Sequence, residues 1–223
     1  MHKQPCFGPC LYMGADISDN DVIMKYLAKR NYTVLPNVST RLYTDPSFVL
    51  DIVTNNPLSY VYISHELRYH KEIAVAAVQK YGHLLQFATD LSDNSGVVVP
   101  ALQQNGMALQ FASPTLQNTK DVVLKAVKQN GMALQFATDL SDNSGVVVPA
   151  LQQNGMALQF ASPTLQNTKD VVLKAIKQNG MALQYAGPNV SCDISGVVLY
   201  AIKQYCGIIN SSKNSVDNND DDY

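Results

Sequence analysis

Residues 85–126 return without one substitution as residues 134–175, an offset of 49. Identical stretches in one chain fold alike, so the chain is an array in which each unit packs on the next. Its architecture then follows from one unit. That unit is itself two related halves. The string Gln-Asn-Gly-Met-Ala-Leu-Gln-Phe-Ala starts at Gln104, Gln129 and Gln153, and again at Gln178 with Tyr185 in place of Phe. Its glycines, Gly106, Gly131, Gly155 and Gly180, stand 24 or 25 residues apart. The same spacing reaches Gly82 and Pro57 upstream, and a step one residue longer reaches Asn31. Downstream it reaches Cys206, across a two-residue insertion near Pro188–Val190. Eight half-units therefore run from about Asp21 to about Asn210.

Within a half-unit the periodicity is helical. In KDVVLKAVKQNG the apolar residues Val122, Val123, Ala126 and Val127 fall on one stripe of a 3.6-residue repeat. The same columns hold Phe48, Val49, Ile52 and Val53, then Ile73, Ala74, Ala77 and Val78, then Val197, Val198, Ala201 and Ile202. Asn130-Gly131 reads as a helix stop with Gly131 in the left-handed conformation. Met132 to Ala137, apolar except for Gln135, predicts a short and mostly buried second helix. Thr119 and Asn143 stand where a helix cap is needed. A lone leucine in each polar loop (Leu42, Leu67, Leu91, Leu116, Leu140, Leu165) is expected to plug the seam between neighbours. Pro100 and Pro149 fall inside the first helix of alternate half-units, where proline should kink or shorten it. That alternation accounts for a period of 49 rather than 24.

The expected fold is all-α, a solenoid of about eight helix-pair half-units. The alternative is an α/β solenoid of leucine-rich type, whose repeats also run about 20–29 residues. MALQFASPTLQN lacks the leucine spacing of such a strand, and Lys125-Ala126 with Ala133 favours helix. The non-repeat leader is residues 1–20, the array 21–210, and the acidic stretch 211–223 is expected to be disordered.

The string D-x-V-V-L-x-A-V-x-x-N-G-x-A-L-x-x-A, in a module of about 49 residues, resembles the repeat family known as domain of unknown function 4116. The resemblance spans about residues 45–205 and is closest over 96–186. It implies a helical repeat and carries no established activity, so no catalytic residue is transferred. Asn31, Pro57 and Cys206 depart from the glycine column, which suggests degenerate or capping units at the ends.

Charge narrows the function classes. Sixteen basic against eighteen acidic side chains give a net charge of −2, which disfavours broad attraction to nucleic acid. No apolar run approaches the roughly 18 residues of a membrane span, and MHKQPCFGPCLYMGAD lacks the apolar region of a signal peptide. The expectation is a cytoplasmic protein with no membrane contact. Cys6 and Cys10 form a C-x3-C with His2 nearby, two ligands short of a metal site. Cys192 and Cys206 read as packing residues, and neither metal nor cofactor is expected. The sequence has no Gly-rich phosphate loop, no G-x-S-x-G and no H-E-x-x-H. Asp121 and Asp170 stand at helix starts, where they complement the helix dipole. The expectation is that the chain is not an enzyme.

Two features remain as binding candidates. Gln86, Gln110, Gln135, Gln159 and Gln184 form a recurring column, read chiefly as amides that are solvated or that satisfy backbone groups between units. The second is a compositional contrast. Arg30, Arg41 and Arg68 are all the arginines, and eight of the twelve tyrosines lie between Tyr12 and Tyr81. Tyr60 and Tyr62 align with Leu134 and Phe136 and are expected in the core. His65, Arg68, Tyr69 and His70 align with the loop residues Pro114, Gln117, Asn118 and Thr119, and such a set resembles an interaction hot spot. The chain thus reads as a non-catalytic scaffold for an unidentified protein partner, with His65, Arg68, Tyr69 and His70 as candidate binding residues. The alternative is contact with RNA or single-stranded nucleic acid through Lys120, Lys125 and Lys128 and their repeats Lys169, Lys174 and Lys177. An uncharacterised enzyme is the third reading.

Overall fold

The computed structural model describes residues 20–31, 35 and 39–191. Its α-helices are α1 (Asp21–Arg30), α2 (Thr40–Tyr43), α3 (Pro46–Asn55), α4 (His65–Arg68), α5 (Lys71–Val78) and α6 (Ser95–Gln104), then α7 (Pro114–Gln117), α8 (Lys120–Gln129), α9 (Ser144–Gln153), α10 (Pro163–Gln166), α11 (Lys169–Gln178) and α12 (Pro188–Ser191). There is no strand among the described residues, so the leucine-rich α/β alternative is excluded over that span. The chain divides into two compact units, residues 1–77 and 78–223. Seven of the eight expected half-units fall at least partly within the described residues. The eighth, the leader, Cys6, Cys10, Cys192, Cys206 and the acidic stretch lie outside them.

In the second unit α6, α8, α9 and α11 each pack against the next, as the periodic stripe requires. Val97, Val98, Ala101 and Leu102 are buried, with Val122, Val123, Ala126 and Val127 below them and the same columns repeated in α9 and α11. Each long helix leads into a six-residue 3₁₀ helix: Gly82–Phe87, Gly106–Phe111, Gly131–Phe136, Gly155–Phe160 and Gly180–Tyr185. The second helix predicted at 132–137 is therefore present, but wound in the tighter form. It is held at its start by the side chain before it: Asn130 Oδ1 accepts from the Met132 N–H at 3.0 Å. Asn105, Asn154 and Asn179 do the same for Met107, Met156 and Met181. The central Ala-Leu pair is buried in the second, third and fourth of these 3₁₀ helices, Leu84 and Leu85 take that place in the first, and Ala182 is buried in the last. Six residues exceed the usual 3₁₀ run, and that burial on one side with a cap at the start offsets the poorer hydrogen-bond geometry.

The helix stop works differently from the sequence reading. No described residue has a positive φ, glycine or otherwise. Asn130 leaves α8 by turning extended, at φ −146° and ψ 110°, while its N–H still donates to the Ala126 carbonyl at 2.8 Å. Gly131 follows as the first residue of the 3₁₀ helix. It must be glycine for lack of space, because a Cβ there would run into the carbonyl oxygen of Ala150 in the next half-unit. Gly82, Gly106 and Gly155 meet Ala101, Ala126 and Ala175 in the same way. The glycine column is thus the imprint of one half-unit on another.

Three further expectations are corrected. Pro100 and Pro149 sit inside α6 and α9 without shortening them, since both run ten residues, as α8 and α11 do. The alternation instead lies in the connections. After one half-unit Ser113 or Ser162 starts a one-turn α-helix, α7 or α10, that buries Leu116 or Leu165. After the other a 3₁₀ turn, Thr89–Leu91 or Thr138–Leu140, leaves Leu91 and Leu140 only half-buried. Of the six loop leucines, Leu42, Leu67, Leu116 and Leu165 are therefore the buried ones. Capping splits the same way. Asn143 accepts from the Gly145 N–H at 3.0 Å, while Thr119 turns its hydroxyl back to the Thr115 carbonyl at 2.8 Å and leaves α8 without a side-chain cap.

In the first unit α1 packs on α3. Lys25 lies 3.6 Å from Asp51 and 5.9 Å from the Phe48 ring centre. Met24, Leu42, Phe48, Val49, Ile52, Val53, Tyr60, Ile63 and Leu67 are buried, larger side chains than the Val-Ala stripe of the copies.

Candidate functional site

The segment from Tyr60 to His70 is where the array's chemistry changes. Its scaffold is a 3₁₀ helix, Pro57–Tyr62, followed by the single turn α4. Tyr60 is fully buried, as its alignment with Leu134 predicts, and its hydroxyl donates to the Arg68 carbonyl at 3.2 Å. Tyr43 reaches in from α2 and donates to the Tyr62 carbonyl at 2.9 Å. Arg68 turns inward: Nη2 donates to the Val61 carbonyl at 2.9 Å. Tyr60 and Arg68 thus tie this turn to the 3₁₀ helix, and Tyr43 ties that helix to α2.

On that braced turn His65, Glu66, Tyr69 and His70 face solvent. Tyr69 is 46% exposed, and its ring meets His65 edge to face with centroids 5.0 Å apart. Tyr62, expected in the core, is instead 37% exposed. The Phe136 column that it occupies is itself only half-buried. Of the four candidates, the structure brings His65 and Tyr69 together, leaves His70 beside them in sequence and exposed, and commits part of the Arg68 guanidinium to the backbone.

The Arg68 geometry has a counterpart in the copies. Gln117, in the same column, donates from Nε2 to the carbonyls of Leu109 at 3.0 Å and Ala112 at 3.1 Å, and Gln166 donates to Leu158 at 3.0 Å. Arg68 occupies a structural amide's place and adds charge. The exchange is incomplete: Arg68 Nε and the hydroxyl of Ser64 are both buried without a hydrogen-bond partner.

The glutamine column flagged in the sequence has a modest role. Gln135 and Gln159 donate to carbonyls of their own 3₁₀ helices, Met132 and Met156, at 3.1 Å. A different column joins the units. Gln104, Gln129, Gln153 and Gln178 accept from the N–H of Gly82, Gly106, Gly131 and Gly155 in the preceding half-unit, at 2.5–2.6 Å. Gln129 and Gln178 also donate to the carbonyls of Gln104 and Gln153 at 3.3 Å. The signal was present in the sequence, since this glutamine always stands two residues before the glycine of its own half-unit. Only the stacked structure shows that it serves the glycine of the half-unit before.

Other surfaces are plainer. Lys120, Lys125, Lys128, Lys169, Lys174 and Lys177 are all exposed. Tyr26 is exposed with the Arg30 guanidinium 4.6 Å from its ring centre. Tyr81 and His83 lie 5.9 Å apart, both exposed. Among the described residues no three of His, Cys, Asp and Glu gather in a way that could hold a metal ion, and no helix is long and apolar enough to cross a membrane.

Fold and surface together define an all-α tandem repeat whose module is two unequal half-units. The family model described as Domain of unknown function (DUF4116) matches three times in tandem, over residues 45–91, 97–140 and 146–190, and the chain belongs to that family. The first match opens on Asp45, which caps α3 through the Ser47 N–H, and closes on Leu91. No curated protein and no solved structure matches the chain.

Proposed function

We propose that the chain is a non-catalytic scaffold that binds a protein partner through His65, Tyr69 and His70, with Tyr62 and Arg68 shaping the surface around them. The observation that carries the reading is the exposed, edge-to-face His65–Tyr69 pair on a turn held by Tyr60 and Arg68 to a 3₁₀ helix that Tyr43 braces in turn. A rigid aromatic presented by a braced turn loses little freedom on binding, which is why tyrosine is favoured at contact hot spots. The corresponding loops of the copies offer Pro114, Asn118 and Thr119 or their repeats, with no aromatic group.

The test is capture by the immobilised chain after cross-linking, comparing the wild type with His65→Ala/Tyr69→Ala. Loss of a hot spot of about 2 kcal/mol weakens a partner roughly 30-fold, while the circular-dichroism spectrum and melting temperature stay close to wild type. A second pair, Lys125→Ala/Lys174→Ala, addresses the nucleic-acid alternative. It leaves protein capture intact on the proposed reading, and weakens binding with a flatter salt dependence if RNA is the ligand. A partner held equally well by wild type and the His65/Tyr69 variant overturns the assignment.

A further inference from the structure

Asn105–Gly106, Asn130–Gly131 and Asn154–Gly155 hold together the reactants of a backbone reaction. In water the glycine nitrogen of an Asn-Gly bond can give up its proton and attack the asparagine side-chain carbon Cγ. An N–Cγ bond forms, the Cγ–Nδ2 bond breaks, and the departing nitrogen takes up a proton and leaves as ammonia. Water then opens the resulting succinimide at either carbonyl, leaving aspartate or isoaspartate. Asparagine is for this reason among the thermolabile residues.

In the array each electrophile is primed. The side-chain carbonyls of Asn105, Asn130 and Asn154 accept from the N–H groups of Met107, Met132 and Met156 at 3.0 Å, which polarises Cγ. Each nucleophile is withheld. The N–H of Gly106, Gly131 and Gly155 donates to Gln129, Gln153 and Gln178 of the following half-unit, and each of these glycines is buried. Closing the five-membered ring requires rotation about the asparagine Cα–C bond, which carries that N–H off its glutamine acceptor. The carbonyls of Ala126, Ala150 and Ala175, pressed against the glycines, leave little room for that rotation.

We propose that these three bonds are latent deamidation sites, each held shut by the glutamine of the next half-unit. Contact between half-units is then a chemical guard as well as a packing interaction. A half-unit that loses its neighbour gains a negative charge at its cap and, as isoaspartate, an extra backbone carbon at the start of its 3₁₀ helix. Opening of the array is written into the chain as a covalent change.

The test ages the full chain in mildly alkaline buffer below its melting temperature and maps the sites by peptide mass spectrometry, in wild type and in Gln129→Leu. The repeats serve as internal controls. In wild type all three asparagines should keep their amides far longer than a free peptide of the same sequence. In Gln129→Leu, Asn105 should react about fivefold faster, the factor carried by one ordinary net hydrogen bond, while Asn130 and Asn154 stay at the wild-type rate. Gln153→Leu should move the acceleration to Asn130. Wild-type loss as fast as the free peptide, no change at Asn105, or equal acceleration at all three sites would each overturn the proposal, the last because it signals general unfolding.

Discussion

The turn at 64–70 and its counterparts at 113–119 and 162–168 occupy the same place in the module and are satisfied by different means. In the copies Ser113 and Ser162 donate to the carboxylates of Asp93 and Asp142, and each hydroxyl also accepts the N–H of the leucine three residues on, at 3.2 Å. Gln117 and Gln166 then tie the turn to backbone carbonyls. In the first module Thr44 stands in the aspartate column and Arg68 in the glutamine column. Ser64 Oγ and Arg68 Nε are left buried and unpaired, at a cost of about 1–3 kcal/mol for each such group. The copies are arranged for stability and the first module is not, and local rules are most often broken where a surface has work to do.

If the copies are interchangeable and the first module is unique, excision should separate them, and the effect is the largest expected here. Removing residues 86–134 deletes one period and joins matching columns, so the product stays folded and helical with a lower melting temperature, and still captures a partner of the His65–His70 turn. Removing 86–121 breaks the register and yields aggregated or unfolded chain by circular dichroism. Similar behaviour of the two deletions would show that the units do not stack as equivalents.

A smaller effect is expected from filling the contact between half-units. In Gly131→Ala the new Cβ meets the Ala150 carbonyl, and the crowding should cost about 3 kcal/mol in a urea melt. Gly131→Asn should cost as much, because the obstacle is the Cβ and not the backbone angle. Asn31 and Pro57 hold this column outside the copies, so the constraint belongs to the stacked Gly–Gln joints. An asparagine variant much milder than alanine would restore the left-handed reading that the observed φ angles oppose.

The repeat length, the buried columns and the all-α character were legible because the chain states them seven or eight times over. Periodicity records which face is buried. It does not record what presses on that face. The helix does stop at Asn130-Gly131, but the glycine reads as left-handed, when its cause is a carbonyl about twenty residues on in sequence. Tyr62 looked like core because it shares a column with Phe136, although that column is only partly covered. At the candidate site the loop and its exposed His65, Tyr69 and His70 could be read from alignment with polar positions. The inward turn of Arg68 could not, since a long charged side chain in a loop gives no sign that its column belongs to a structural amide.

Arg68 offers a direct probe of that shared column. Arg68→Ala removes the bond to the Val61 carbonyl and should destabilise the chain by about 2 kcal/mol, the range for a hydrogen bond from a charged donor. Arg68→Gln restores the residue of the copies and should fall within about 0.5 kcal/mol of wild type or above it. Chemical denaturation of the two variants checks this. If alanine and glutamine are equally harmless, Arg68 is a surface residue and the double variant Arg68→Ala/Tyr69→Ala becomes a clean test of binding.

The smallest expected effect is a gain. Thr44 stands twenty residues before Ser64, as Asp93 stands before Ser113 and Asp142 before Ser162. Its hydroxyl is spent on the Thr40 carbonyl at 2.8 Å, a local bond that does nothing for Ser64. Thr44→Asp therefore offers the Ser64 hydroxyl the acceptor its counterparts have, and should stabilise the chain by about 1 kcal/mol. The control is Thr44→Asn, which has the shape without the charge and should gain less, since bonds to a carboxylate are the stronger kind. Thermal melts resolve a difference of this size, and pairing Thr44→Asp with Ser64→Ala should erase the gain if it arises through the hydroxyl. Should Thr44→Asp stabilise the chain and leave partner capture untouched, the unpaired serine is a mark of drift rather than of function, and the binding surface narrows to His65, Tyr69 and His70. Loss of capture on supplying the carboxylate would instead make the vacancy at Ser64 part of what the partner recognises.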